Sequence, residues 1–305
     1  MICCIIPRLK HPIAANNIYA KPHDTTFLRN HKFRSCGSMR GSNRHGFGAE
    51  CLPGVQKRPV GFRNRLGNTA HCVCCSEDTC MNQPASMWQS PVITEPSWRC
   101  AEAREIDVLA DVYRADINIA IWQRQLDRRL AQAADNTLAA NPALQISQVV
   151  TPQDTNAVIE RALGATEASA LSEDIAQLVD MFCCLFELER AGLRLSALDG
   201  AMCPRFHVDR VPCRLVTTYQ GVGTEWLPHP LADRSRLGRG NCGKPDEQSG
   251  LLNSLTDIQQ LGRGDVALLK GEAWEGNQSA GIIHRSPLLT GKARRLLLTL
   301  DFMGD

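Results

Sequence analysis

The sequence predicts an α+β protein in which a layer of helices, met first along the chain, packs on an antiparallel β-barrel. Three observations carry that reading. Residues 101–192 repeat apolar side chains at helical spacing, and after Gly192 the chain breaks into short strand-like runs bounded by Gly and Pro. Helices that precede strands, instead of alternating with them, favour an antiparallel sandwich or barrel over a parallel sheet. The first 90 residues show neither period.

That front segment is also set apart by charge. The net charge of +2 over 305 residues is the sum of a basic front and an acidic body: residues 1–90 hold twelve Lys/Arg against four Asp/Glu, and eight of the fourteen cysteines. Scattered Gly, Asn, Arg and His bury little apolar surface, so disorder is expected there. Cys72, Cys74, Cys75 and Cys80, with His71, lack the paired knuckles of a structural zinc site. Met87 opens "MWQSPVITEP" directly before the chain becomes regular, as it would if residues 1–86 came from a start read too far upstream and were not translated. The cysteine load argues against a transit peptide. Without aromatic interleaving the basic front does not predict a nucleic-acid partner. No apolar run approaches the ~18 residues that span a bilayer, so a membrane partner is not expected and the cytoplasm is. Residues 91–305 are expected to form a single domain.

Within that domain, "REIDVLADVYRADINIAIWQRQLDRRLAQAA" reads as two helices with a break near Asp116. "TPQDTNAVIERALG" reads as a helix entered at Thr151–Pro152 and ended by Gly164. "SALSEDIAQLVDMFCCLFELERAG" places Ile175, Leu178, Val179, Phe182 and Leu185 on one stripe and ends at Gly192, with Cys183 and Cys184 as small buried thiols. Six strand-like runs follow: "LRLSAL", "RFHVD", "CRLVTTY", "GDVALLKG", "GIIHRS" and "RRLLLTLDF".

The chemistry concentrates in the second run. Residues two apart on a strand share a face, so His207 and Asp209 project together. A His-x-Asp pair supplies two ligands of a two-His-one-carboxylate set, which leaves positions open on an octahedral metal. His284 is the candidate third ligand. Arg294 and Arg295 follow it by ten and eleven residues, at the head of an apolar strand, where a buried guanidinium needs an anion such as a dicarboxylate.

This ordered set resembles the iron(II)- and 2-oxoglutarate-dependent dioxygenases: His207 and Asp209, the Gly264–Asp265 turn, His284, then Arg294 or Arg295. The resemblance implies a double-stranded β-helix of the cupin or jelly-roll type, Fe(II) held by His207, Asp209 and His284, and 2-oxoglutarate anchored by Arg294 or Arg295. It also implies a part for Tyr219 in binding the cosubstrate carboxylate. From about residue 95 to 302 the chain is similar to the bacterial family called domain of unknown function 1826, through "CPRFHVDRVPCRLVTTY", "GTEWLP" and "HRSP". The substrate, a small molecule or a protein, is not specified by these residues.

Two departures support an alternative. Cys203 and Cys213 flank the pair and make Cys-x3-His-x5-Cys with His207, a soft ligand set suited to Zn in a non-catalytic zinc-handling protein. The loop-like segment 228–250, with His229 exposed, is expected to act as a mobile lid over the site. No phosphate-binding glycine loop, dinucleotide fingerprint or nucleophile elbow is present.

Overall fold

Ile117, Ile119 and Ile121 lie two apart, and this alternation of β-branched residues makes a strand where helical spacing predicted a second helix. The rest of that stretch is helical at both ends, as a 3-10 segment at Ile106–Tyr113 and as the start of an α-helix at Arg128. The computed structural model describes residues 98–164 and 169–303, which fall within one compact unit. The expectations for residues 1–90 lie outside the described residues.

In chain order the elements are β1 (Arg99–Ala103), β2 (Ile117–Trp122), α1 (Arg128–Ala140), β3 (Gln145–Val150), α2 (Thr155–Leu163), α3 (Ser169–Phe186), β4 (Ala191–Leu198), β5 (Cys213–Gln220), β6 (Glu225–Leu227), β7 (Gln259–Gln260), β8 (Val266–Lys270), β9 (Ile283–Arg285) and β10 (Arg295–Phe302). The helix boundaries have local causes. Asp127 caps α1 by accepting from the Leu130 amide at 2.8 Å. Gly164, at φ +68°, closes α2 as its sequence predicted. The third helix stops earlier than expected, because Glu187 turns left-handed at φ 54° and the Leu188 amide returns to the Cys183 carbonyl. Gly192 instead lies inside β4, paired with Val149 and Asp301.

The strands form a mixed α/β architecture with one large sheet, ordered β1-β2-β8-β5-β10-β4-β3, and a small one, ordered β7-β6-β9. All neighbours are antiparallel except β1 and β2. Strand parity then sorts the large sheet into two faces. Leu296, Leu298 and Leu300 of β10, Leu215 and Tyr219 of β5, and Leu193 and Leu195 of β4 share a core with α1, α2 and α3. Each fully buried leucine there contributes roughly 1.5–3 kcal/mol. The alternate residues, Leu297, Val216, Leu269, Ile119 and Ile121, pack on the other face with Trp226 and Ile282.

Two further expectations are corrected. "RFHVD" does not form a strand; it makes a single bridge, in which His207 and His284 exchange backbone hydrogen bonds of 3.1 and 3.0 Å. Pro204 and Pro212 bracket it and limit further pairing. The segment 228–250, read as loop-like, is structured together with the residues up to 258. It folds into five short 3-10 turns around its own core of Leu251 and Leu252 with Phe206, Leu227 and Ile283.

Candidate metal centre

The His207–His284 bridge does what a continuous strand would have done. It sets the two imidazoles side by side, with ring centroids 4.5 Å apart, and Asp209 closes the group from two residues downstream. One ligand atom from each of the three lies within 4.8 Å of the other two. His284 is buried; His207 and Asp209 are partly open to solvent.

Backbone carbonyls fix the tautomers. The Nδ1 of His207 donates to the Arg205 carbonyl at 2.9 Å, and the Nδ1 of His284 to the Ile282 carbonyl at 3.2 Å, because a carbonyl can only accept. Each Nε2 is thereby left to face Asp209, at 3.7 Å from Oδ1 for His207 and 3.4 Å from Oδ2 for His284. Burial, then the neighbouring His284, pushes the His207 imidazole below its usual range, so it is neutral at pH 7. Burial would raise the Asp209 carboxyl, but His284 and Arg214 outweigh it and bring the group to about 2. A neutral His207 and an ionised Asp209 are protonation states that suit a divalent cation.

Two supporting networks hold these side chains. Arg214 donates from Nη1 to Asp209 at 2.6 Å and from Nε to Asp301 at 2.7 Å, and Arg194 meets Asp301 at 3.1 Å. Arg214 and Asp301 are oppositely charged and pair in register on adjacent strands, so their side chains meet on one face. The main chain at Asp209 is tied down as well, since its carbonyl accepts from the Glu272 amide at 2.9 Å. Gly271 makes this approach feasible, as a Cβ there would run into the Val211 carbonyl oxygen.

Asp246 supports the two histidines. Its buried carboxylate accepts from the Phe206 amide at 2.7 Å, from Arg205 Nε at 2.8 Å and from Arg285 Nη1 at 3.5 Å. Phe206 precedes His207 and Arg285 follows His284, so one side chain from the 228–258 segment grips both ligand-bearing stretches. Arg285 also reaches Glu225 at 2.6 Å and Glu247 at 2.7 Å, and its guanidinium lies 4.2 Å over the Phe206 ring. Asp246 gave no sequence signal, because "GKPDEQ" has the composition of an ordinary turn. Asp301 did leave one: it is an acid inside the apolar strand "RRLLLTLDF", where a charge needs a partner.

Of the two candidate arginines, Arg295 is the buried one. Its parity matches Leu297 and Asp301, so it projects from the face that carries Arg214. Nη2 donates to Thr218 Oγ1 at 3.0 Å and Thr224 Oγ1 at 2.6 Å, while Nε is buried without a partner. Burial lowers the guanidinium to about 10, which leaves it charged at neutral pH; Glu225 acts in the opposite direction. Arg294 turns elsewhere and donates to the Pro142 carbonyl.

Tyr219 is not placed with this group. It lies on the helix face, fully buried, and donates to Asp174 Oδ2 at 2.6 Å. Strand parity is the reason: on β5 it is Thr218, one residue earlier, that shares a face with Arg214 and Val216. Cys213 also points to the helix face, where burial pushes its thiol up, and Cys203 is exposed. Among the described residues neither cysteine joins the His207–Asp209–His284 cluster. Asp265 closes its own turn by accepting from the Gly262 amide at 2.7 Å. His229 is half-buried, not exposed, and lies against Trp98 with ring centroids 4.5 Å apart.

Compared with known proteins, residues 103–301 match the family described as "Protein of unknown function (DUF1826)". No curated protein matches the chain in sequence. Among solved structures it is similar to the rice dioxygenase for auxin oxidation, at 10% identity and TM-score 0.39 over 68% of this chain and 83% of that one. It is also similar to a Pseudomonas putida prolyl-4-hydroxylase, at 10% identity and TM-score 0.37 over 65% and 98% of the two chains. A third is HygX from Streptomyces hygroscopicus with nickel and 2-oxoglutarate bound, at 8% identity and TM-score 0.31 over 60% and 81%. No helix among the described residues is long and apolar enough to cross a membrane.

Proposed function

The chain belongs to the DUF1826 family, and we propose that it is an iron(II)- and 2-oxoglutarate-dependent oxygenase on a double-stranded β-helix. The observation that carries this reading is the convergence of His207, Asp209 and His284 within 4.8 Å, with both Nδ1 atoms committed to carbonyls. Two imidazoles and one carboxylate fit Fe(II) by donor type, and three protein ligands leave coordination positions open for a cosubstrate and oxygen. When bound, iron and 2-oxoglutarate supply the oxidising power for inserting one oxygen atom of O2 into a substrate.

The protein's own residues do the rest. Arg214 keeps Asp209 ionised and oriented. Arg295 offers a buried positive charge with, among the described residues, no carboxylate within salt-bridge distance, and its buried Nε–H is unpartnered, which suits the far carboxylate of 2-oxoglutarate. Thr218 and Thr224 accept from Arg295, so their own hydroxyl protons are free to be donated to that carboxylate. The apolar side chains of the inner face, Val216, Leu269 and Leu297 among them, exclude water from this corner.

The test is iron binding by the full chain under anaerobic conditions. One iron per chain is expected, with a visible charge-transfer band on adding 2-oxoglutarate, and both are lost in His207→Ala. Iron content unchanged in that variant would overturn the assignment, as would tightly held zinc with sulfur ligands in the wild-type protein.

A further inference from the structure

Register places four side chains in one row across the small sheet. Gln259 pairs with Trp226, Trp226 with His284, and His284 with His207. Directly opposed residues share a face, so the metal ligands occupy one end of this row, and Trp226 separates them from whatever lies at the other. At that other end is a cavity of about 330 Å³, which Trp226 and Gln259 help to line.

Its remaining walls are rich in ring faces. Trp98 and His229 meet at 4.5 Å with a tilt of 44°, and Pro228 and Pro230 extend the apolar surface beside them. Glu102 adds a carboxylate at the mouth. It pairs in register with Ile121, so it shares the face that looks between the sheets, and it is exposed. Gln123 donates to it at 3.3 Å, but among the described residues it has no ion pair. Among the described residues Arg99 is the one Lys or Arg in the lining, and its guanidinium is committed to Asp116; Arg234 stands behind the lining, with Nη1 3.5 Å from His229 Nδ1. Burial, then Arg234, lowers the His229 pKa, so this ring is neutral at pH 7 and adds no positive charge.

We infer that this cavity binds an organic cation with apolar substituents, a methylated or quaternary ammonium group. Two indoles, an imidazole and two prolines line the cavity; such a lining would cover the methyl groups of the cation and offer it ring π-electrons, and Glu102 would supply the counter-charge. A primary ammonium fits less well, because it would lose strong hydration with few acceptors to replace it. An anion is disfavoured by Glu102 and by the engagement of Arg99 with Asp116.

Choline and its uncharged isostere 3,3-dimethyl-1-butanol are the probes, titrated into the full chain and followed by tryptophan fluorescence and calorimetry. Choline is expected to bind saturably and at least ~10-fold more tightly than the isostere. Glu102→Gln and Trp98→Leu should each weaken choline by about 5–10-fold. Glu102 is an exposed side chain, so its variant keeps the test intact even if Trp98→Leu fails to fold. His207→Ala should bind choline as the wild type does, so loss of the oxygenase reading and loss of this one are separate results. Equal affinity for the isostere would overturn the proposal, as would no saturable binding of choline, or wild-type affinity in Glu102→Gln.

Discussion

Arg124, partly buried, and Arg295, fully buried, place guanidinium groups against the same large sheet, one on each face, and they are satisfied very differently. Arg124, on the helix side, grips Asp174 with two bonds of 2.7 and 2.9 Å, and its Nε donates to the Gly264 carbonyl at 2.8 Å. Burial would lower its pKa, but Asp174 and Tyr219 prevail and raise it. Among the described residues Arg295 finds only two threonine hydroxyls and keeps a buried N–H unpaired. A completed network fixes structure, whereas an incomplete one, in a group that cannot shed its charge, leaves room for a ligand to complete it.

The largest effect should come from breaking the completed network. Asp174→Ala strands the Arg124 guanidinium without its carboxylate and is expected to cost about 3–5 kcal/mol, read as a lower urea midpoint. The fraction that remains folded should still bind iron. If Asp174→Ala is as stable as the wild type, the helix-side network does not have the structural role assigned to it.

Lys270 offers a third solution on the helix side, and it sharpens the contrast through pH. This fully buried lysine has the Arg114 carbonyl at 2.9 Å and the Trp274 ring at 4.9 Å, but among the described residues no carboxylate within ion-pair distance. An ammonium can lose its proton, and burial lowers its pKa from 10.5 to about 8. Between those values the unfolded chain binds the proton that the folded chain has released, so stability should rise as pH increases from about 8 to about 10.5. The gain is on the order of 2 kcal/mol. It should vanish in Lys270→Met, compared by urea titration at pH 7.5 and 10. An equal gain in the variant would mean that Lys270 is not the group responsible.

On the site side the cost is small, since removing an unpaired cation sacrifices little. Arg295→Met should change folding stability by less than about 1 kcal/mol, while the apparent affinity for 2-oxoglutarate falls about 10–100-fold, the value of a charged hydrogen-bonded contact. Iron binding should be unaffected. Unchanged 2-oxoglutarate affinity would remove Arg295 from the site.

These contrasts also explain which parts could be read from the sequence. His207, Asp209 and His284 were legible because their side-chain types and order match a known ligand pattern. The stripe of α3 was legible because five apolar residues keep one period. The Ile117–Trp122 strand was not, although Ile117, Ile119 and Ile121 alternate, because both of its faces are buried and no polar face marks the period; its pairing with β1 and β8 decided the matter. Tyr219 shows a different failure: the strand containing it was recognised, but which face it uses depends on strand register, and one residue separates Thr218 from it. Asp246 was invisible for a third reason, that its partners lie about 40 residues away in both directions.

Asp246 therefore offers the finest test of how the site is held together. Asparagine at this position keeps an oxygen that can accept from the Phe206 amide but removes the charge facing Arg205 and Arg285. Glu225 and Glu247 still hold Arg285, so His284 should keep its place better than His207, whose carbonyl partner belongs to Arg205. Asp246→Asn should weaken iron binding by about 10-fold, the lower end of what such supporting contacts contribute. The affinity of the iron-loaded protein for 2-oxoglutarate should stay the same, because Arg295 is anchored from β10 and not from this segment. Measuring the two affinities separately decides the point. A fall in both would mean that segment 228–258 shapes the whole cavity, and a fall in neither would mean that the His207–His284 bridge alone sets the ligands.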